Sequence, residues 1–219
     1  MKWMYGNAWE RFPIEPGEIW GVPANGSQVA VHNIFNPLPE FMSFANLLFI
    51  DPPWNLGNLN TFYTKAGRSD YLQSFTDFAD MLFRRIGEIR PRTVYIEIGK
   101  QNMIDFRHRL EKLYRDVQMW PVVYYRKHPT WLLRGSRAGP IVHDFTGIDE
   151  AKCISIISRI ETYDVFGDLC MGRGLVGMAA YQAGKPFVGT EFNKRRLACL
   201  LASLTKVGAN VRKYGDINE

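Results

Sequence analysis

The sequence predicts an α/β fold with a mostly parallel sheet and helices on both faces. Three observations carry that prediction. Apolar runs of strand length alternate with stretches of helical periodicity along most of the chain. Two of the runs stop abruptly at a carboxylate, Leu47–Ile50 at Asp51 and Val165–Gly167 at Asp168. After the second, Gly172, Gly174 and Gly177 follow as G-x-G-x-x-G, the spacing of a strand–turn–helix that receives a ligand.

The elements follow in order. Residues 1–27 are rich in aromatics, Pro and Gly and have little period, so they read as an N-terminal arm or a short antiparallel unit. Gln28–Asn33 alternates as a strand, and Pro37-Leu38-Pro39 is a loop. Leu47–Ile50 is a buried strand, ended by two prolines that lack an N–H and fix their own φ. The Gly/Asn-rich stretch 55–70 reads as a mobile lid loop over that strand end. Apolar residues from Tyr71 to Ile86 recur at helical spacing, with Gly87 as the stop. Thr93–Ile98 is a strand, Gln101–Tyr114 a helix and Val117–Arg126 a strand, whereas 128–150 shows no period. A helix over 150–161, a strand over 163–169, a helix over 175–183, a strand over 186–190 and a helix over 193–206 complete one domain of 219 residues.

Composition narrows the function classes. Apolar content of 46% with 22% charged residues suits a soluble globular protein, and no apolar run approaches the ~20 residues of a membrane span. The N-terminus lacks the apolar core of a signal peptide. Three widely spaced cysteines form neither a disulfide framework nor a zinc site, which points to a reducing cytoplasm. The net charge of +5 is unevenly spread: 4 basic against 8 acidic residues over 1–83, 13 against 5 over 84–137, and 10 against 9 over 138–219. The middle segment thus exceeds the whole surplus, as a polyanion-facing surface would.

Asp51-Pro52-Pro53-Trp54 makes chemical sense as a unit. The Asp51 carboxylate and the Pro52 carbonyl are two acceptors, Pro53 stiffens the turn, and Trp54 offers a face for a planar ring. Such a set grips an exocyclic amine on a flipped base. Asp168 beside the glycine turn would repel a pyrophosphate but suits an ammonium or sulfonium. Glu191, 19 residues after Gly172 and just past a strand, stands where an acid binds ribose hydroxyls. No histidine has a ligand-like partner, so no metal is expected, and no Ser/His/Asp or Cys/His set stands out.

Asp51-Pro52-Pro53-Trp54 followed by Asp168-x-x-x-Gly172-x-Gly174 resembles the S-adenosylmethionine-dependent amino-methyltransferases of DNA, in their permuted "beta" order. The tryptophan form is more similar to the adenine-N6 enzymes than to those of cytosine N4. The resemblance covers about residues 28–206. It implies a Rossmann-like methyltransferase fold, catalysis at Asp51, Pro52, Pro53 and Trp54, and S-adenosylmethionine held by Asp168, Cys170, Met171, Gly172, Gly174, Glu191 and Phe192. The family's Gly-Asp before the catalytic strand stands here as His32-Asn33, and its Lys-Pro as Lys152-Cys153, so Asn33 and Lys152 join the cofactor set. The region for target recognition falls in residues 128–150. Arg126, Lys127, Trp131, Arg134 and Arg137, with Lys65 and Arg68 on the lid, are the expected nucleic-acid contacts. DNA is the expected partner, with RNA or cytosine N4 as alternatives, in a monomer or a homodimer. A different class of answer is a non-catalytic nucleic-acid-binding subunit with the same fold.

Overall fold

The computed structural model describes residues 6–68, 74–125 and 127–215. Its centre is five parallel strands: β2 (Ser27–Val31), β3 (Leu47–Ile50), β4 (Thr93–Ile98), β7 (Phe166–Asp168) and β8 (Phe187–Glu191). An antiparallel hairpin, β5 (Asp116–Tyr124) with β6 (His128–Ser136), extends one side. The strands β1 (Ile19–Val22) and β9 (Arg212–Lys213) extend the other. The full order is β5-β6-β4-β3-β7-β8-β2-β1-β9. β3 is buried along its whole length because both sheet faces are covered, which is why it reads as an unbroken apolar run.

Leu47 and Phe49 pack under α1 (Ala8–Arg11), α5 (Glu150–Ile160), α6 (Leu175–Gln182) and α7 (Lys194–Lys206). Leu48 and Ile50 pack under α2 (Leu56–Lys65), α3 (Phe75–Ile89) and α4 (Met103–Leu113). The chain leaves β3 toward β4 on one side and leaves β7 toward β8 on the other. The C-terminal ends of β3 and β7 therefore flank the point where the sheet changes winding direction, and a crevice opens there.

Several sequence expectations need correction. Residues 56–65 form a helix rather than a lid loop: Asn55 caps it by accepting from Asn58 N–H, and Leu59 and Tyr63, four apart, bury one face. Its glycine and asparagines weaken local propensity, but tertiary burial outweighs them. The next helix runs through Gly87 and ends at Arg90, which takes the left-handed conformation (φ 55°) in glycine's stead. Its expected start at Tyr71 lies outside the described residues, and Ser74 caps it by accepting from Asp77 N–H. Residues 8–22 take the antiparallel form, with β1 in the sheet and α1 against α7. The first nine residues of the aperiodic stretch 128–150 are β6, zipped to β5 from Tyr124↔His128 to Asp116↔Ser136. Its period is hidden because both faces of the strand are covered over most of its length. No described helix is long and apolar enough to cross a membrane.

Candidate active site

The turn after β3 is held from three directions. Trp54 Nε1 donates to Asp51 Oδ1 at 3.0 Å, and the Tyr124 hydroxyl bonds the same carboxylate. Asn102 Nδ2 donates to the Trp54 carbonyl at 2.7 Å. Gly99 lets the indole lie flat against β4's exit, since a Cβ there would stand 3.2 Å from Trp54 Cβ. The indole meets Tyr124 edge-on, with centroids 4.8 Å apart at 72°. The sequence suggests Trp54 as a stacking platform; its N–H here aims the carboxylate, which is a positioning role. Pro52 and Pro53 are buried beneath.

Asp51 keeps partial solvent access while protein encloses its other sides. Burial raises its pKa to about 6, against the lowering effects of Trp54, Tyr124 and Arg196. The pairing Ile50↔Ile96 places Asp51 beside Glu97 one step further along β3 and β4. Glu97 is fully buried and raised to about 9, first by burial and then by the Asp51 charge. Thr130 Oγ1 donates to Glu97 Oε1 at 2.7 Å, and Oε2 has no partner among the described residues. Glu150, at the start of α5, is raised to about 8 by burial and Asp51.

The second half of the site is the turn from β7 to α6. Asp168, the last residue of β7, is buried, accepts from Cys170 N–H at 2.9 Å, and is pushed well above the carboxylate range by burial. Gly174 takes φ 84° at the helix start, and a Cβ there would lie 2.5 Å from Leu200, so it is required twice over. Glu191, at the end of β8, accepts Gly172 N–H through Oε2 (2.6 Å) and Asn193 N–H through Oε1 (2.8 Å). It thereby ties the glycine turn to the start of α7, and each oxygen keeps a lone pair for a ligand.

Two cavities open over these strand ends. One, of about 630 Å³, is lined by His32, Asn33, Asp51, Pro53, Tyr63, Glu191, Phe192 and neighbouring apolar groups. The other, of about 820 Å³, is lined by Asp51, Tyr124, Tyr125, Glu150, Asp168, Met171, Gly172 and Arg173 among others. Asp51, Phe62, Cys170 and Arg196 border both, so the two are compartments of one cleft.

Most expected site residues meet in this cleft, but several do not. Lys152 lies on the exposed side of α5, two residues from Glu150, which faces the cleft instead. Arg134 is buried in β6: Nε donates to Glu161 at 2.8 Å and to the Tyr95 hydroxyl at 3.1 Å, and Nη1 to the Gly139 carbonyl at 2.8 Å. Arg137 lies at the opposite edge of the sheet, where Ser136 pairs with Thr93 and Nη1 donates to the Arg90 carbonyl. Both lie away from the cleft, because β6 runs antiparallel to β4 and carries them to the other end of the sheet. Lys127 is exposed in the β5–β6 turn and Trp131 is half-buried in β6, opposite Pro121; Arg126 lies outside the described residues. Lys65 and Arg68 lie over Phe62 and Phe192, each 5.6 Å from the ring centroid, on the α2 side of the cleft.

Sequence reasoning does not reach Glu150, Tyr124, Tyr125, Glu97, His32 or Arg196. Arg196 leaves one trace, since Lys194-Arg195-Arg196 loads the first turn of α7 with cations against the helix dipole. Tyr125 is two-thirds exposed and takes a left-handed φ of 46°, strain that a tyrosine seldom carries outside a site.

No family model and no curated protein matches the chain. Solved structures do. M1.HpyAVI in complex with SAM is 14% identical with a TM-score of 0.54, over 80% of this chain and 98% of that one. TTHA0409 of Thermus thermophilus, a candidate DNA modification methylase complexed with S-adenosyl-L-methionine, is 15% identical with a TM-score of 0.53, over 75% and 86%. The cytosine-N4-specific PvuII DNA methyltransferase is 11% identical with a TM-score of 0.50, over 85% and 87%. The chain has the fold these proteins share.

Proposed function

We propose that this protein transfers a methyl group from S-adenosylmethionine to an exocyclic amine of a DNA base, N6 of adenine in the first instance. The observation that carries this reading is the adjacency of Asp51 and Asp168 at the ends of paired strands, opening into one two-compartment cleft. Asp51, Glu150 and Asp168 line the larger compartment against two arginines, Arg173 and Arg196, among the described residues. That imbalance fits a ligand carrying an ammonium and a sulfonium. The apolar compartment with Glu191 at its rim fits a nucleoside. S-adenosylmethionine, when bound, supplies a methyl carbon activated by a positive sulfur.

Asp51 and the Pro52 carbonyl then accept the two amine hydrogens and localise the nitrogen lone pair, which is otherwise delocalised into the ring. That pair forms the new nitrogen–carbon bond as the carbon–sulfur pair stays on sulfur. One amine proton leaves toward Asp51. Trp54 and Tyr124 hold the carboxylate in place, so catalysis rests on positioning and electrostatics. Tyr125, exposed where it lines the larger compartment, would flank the incoming base, and Lys127, exposed in the β5–β6 turn, would meet phosphate.

The test is incubation with labelled S-adenosylmethionine and DNA or RNA, followed by nucleoside mass analysis. N6-methyladenine in DNA is expected. N4-methylcytosine or labelled RNA would reassign the substrate, and cofactor binding without any transfer would favour the non-catalytic reading. Asp51→Ala should abolish transfer and leave cofactor binding near normal. Activity above about a tenth of wild type would refute the role, because such contacts are worth ~10²-fold or more.

A further inference from the structure

The cleft takes up little of the positive charge of residues 84–137. Lys100 follows β4 and Lys127 joins β5 to β6 at that end of the sheet. On the helices the arginines are neutralised locally, Arg84 and Arg85 by Glu88, Arg107 by Glu111, and Arg109 by Asp80 and Asp105.

At the opposite end of the sheet four arginines are treated differently. The pairs Thr93↔Ser136 and Asp116↔Ser136 set Arg92, Arg137 and Arg115 side by side at the ends of β4, β6 and β5. Arg137 N–H continues the ladder by donating to the Arg92 carbonyl at 2.9 Å. Neighbouring strands lie ~4.8 Å apart, so the row spans about 10 Å. Arg90, the cap of α3, stands two residues before Arg92. All four are exposed, and none forms an ion pair among the described residues. Asp116 beside Arg115 is half-buried, Glu88 is taken by Arg84 and Arg85, and Asp164, two strands beyond β4, accepts from Asn46 Nδ2 at 2.8 Å.

Helix dipoles account for Arg90 and Arg115, which stand at the C-terminal ends of α3 and α4. They do not account for Arg92 and Arg137, since strand ends carry little net dipole. Arg90 takes φ 55° where glycine or asparagine is usual, so a cation is kept there at a conformational cost. Arg137 Cζ lies 5.2 Å from the Tyr114 ring centroid, and Nη1 donates to the Arg90 and Pro91 carbonyls at 2.9 and 3.2 Å. Those contacts set the plane of the guanidinium, while Nε and Nη2 have no partner among the described residues.

We propose that Arg90, Arg92, Arg115 and Arg137 bind the phosphate backbone of a second DNA segment while a first lies at the cleft; that the polyanion is DNA rests on the methyltransferase reading above. Guanidinium forks match phosphate oxygens, and contacts of that kind position a backbone without reading its bases. β4 is six residues long, so the row stands ~20 Å from the cleft edge, and a straight duplex lying across that edge does not reach it. Release of one segment from the cleft then leaves the protein on the DNA.

The experiment is analytical ultracentrifugation of the full chain with excess fluorescent duplex of about one helical turn, too short and stiff to bend round the sheet. At about 50 mM salt, wild type should carry two duplexes and Arg92→Glu/Arg115→Glu one. The weaker site of wild type should show a log–log salt slope of about 3–4 units, at ~0.9 per phosphate contact. Arg92→Lys/Arg115→Lys, which keeps the charge, should retain the second duplex, and so should the charge-matched reversal Lys206→Glu/Arg212→Glu. In R92E/R115E, kcat for methylation of plasmid DNA should stay within about twofold, because the cleft is untouched. One duplex on wild type, two on R92E/R115E, or an equal loss in the charge-matched pair overturns the inference. Stoichiometry is read whether or not a methyl group moves. Two duplexes bound with no methylated base in the plasmid would sink the methyltransferase reading and leave the surface standing; one duplex with methylation would do the reverse.

Discussion

Replacing Tyr124 by Phe removes a single oxygen and tests how Asp51, the proposed catalytic carboxylate, is held. Asp51 sits at about 6 because burial raises it while Trp54 Nε1–H, the Tyr124 hydroxyl and the Arg196 charge pull it down. A hydrogen bond to a charged group is worth about 1.5–3 kcal/mol, or about 1–2 pKa units at ~1.4 kcal/mol per unit. Water entering from the open side offsets part of this, so about one unit is expected. Asp51 must be ionised to accept the amine hydrogens, so methyl transfer should fall on the acid side with an apparent pKa near 6 in wild type. In Tyr124→Phe that limb should move to about 7. Activity at pH 6 then drops about fivefold, since roughly a tenth rather than half of the carboxyl is ionised, while activity at pH 8.5 stays within about twofold. The assay is kcat/KM for S-adenosylmethionine, which reports the cofactor-free enzyme, from pH 5 to 9 with DNA in excess. A uniform loss at every pH, with the limb unmoved, would refute the claim that Tyr124 acts through Asp51.

Three further outcomes are expected. Arg134→Leu leaves Glu161 buried and unpaired in a network that also includes Tyr95, so it should cost about 3–5 kcal/mol in denaturant unfolding, and a nearly unchanged midpoint would contradict the burial described above. Lys100 and Lys127 are exposed at the C-terminal ends of β4 and β5, and reversing both to Glu should flatten the log–log salt dependence of DNA binding by about 1–2 units; an unchanged slope would place the phosphate contacts elsewhere. For Glu97, a folded pKa of about 9 lies above the unfolded carboxyl value, so folding takes up a proton between the two and the stability it contributes is lost as pH rises through that window. Glu97→Gln should therefore gain on wild type as pH rises from 5 to 7, by about 2 kcal/mol, and equal gains at both pH values would mean that Glu97 is not held neutral.

The sheet is legible in the sequence because its central strands are covered on both faces, which leaves unbroken apolar runs such as Leu47–Ile50. The two carboxylate ends are legible for the same reason, since an acid directly after such a run has no place in a core. The helix over 56–65 is not, because Gly57, Asn58 and Asn60 have low helix propensity and only the burial of Leu59 and Tyr63 decides the matter. The roles of Arg134 and Arg137 escape the sequence for a topological reason. Proximity in sequence to the strand after α4 suggests the catalytic edge, but the hairpin reverses the chain and takes both residues to the far side.

What stays hidden is mostly the charge logic of the cleft, which depends on contacts between strands far apart in sequence. Asp51, Glu97, Glu150 and Asp168 come from four different elements, and each is raised by burial before any neighbour acts. Asp51, Glu150 and Asp168 line one crevice with Glu97 buried beside Asp51, and a chain selected for stability alone would have placed apolar side chains at Glu97 and Glu150. A cation delivered into the crevice should relieve the cost of burying these acids, lowering the values of the carboxyls that line it and releasing protons. Binding of a sulfonium cofactor near pH 7 should then expel protons, and the uncharged thioether product should expel fewer. The same balance explains why Arg196 sits at the wrong end of its helix. With Arg173 it is one of two cations facing that crevice among the described residues, set against a helix dipole that would otherwise favour an acid.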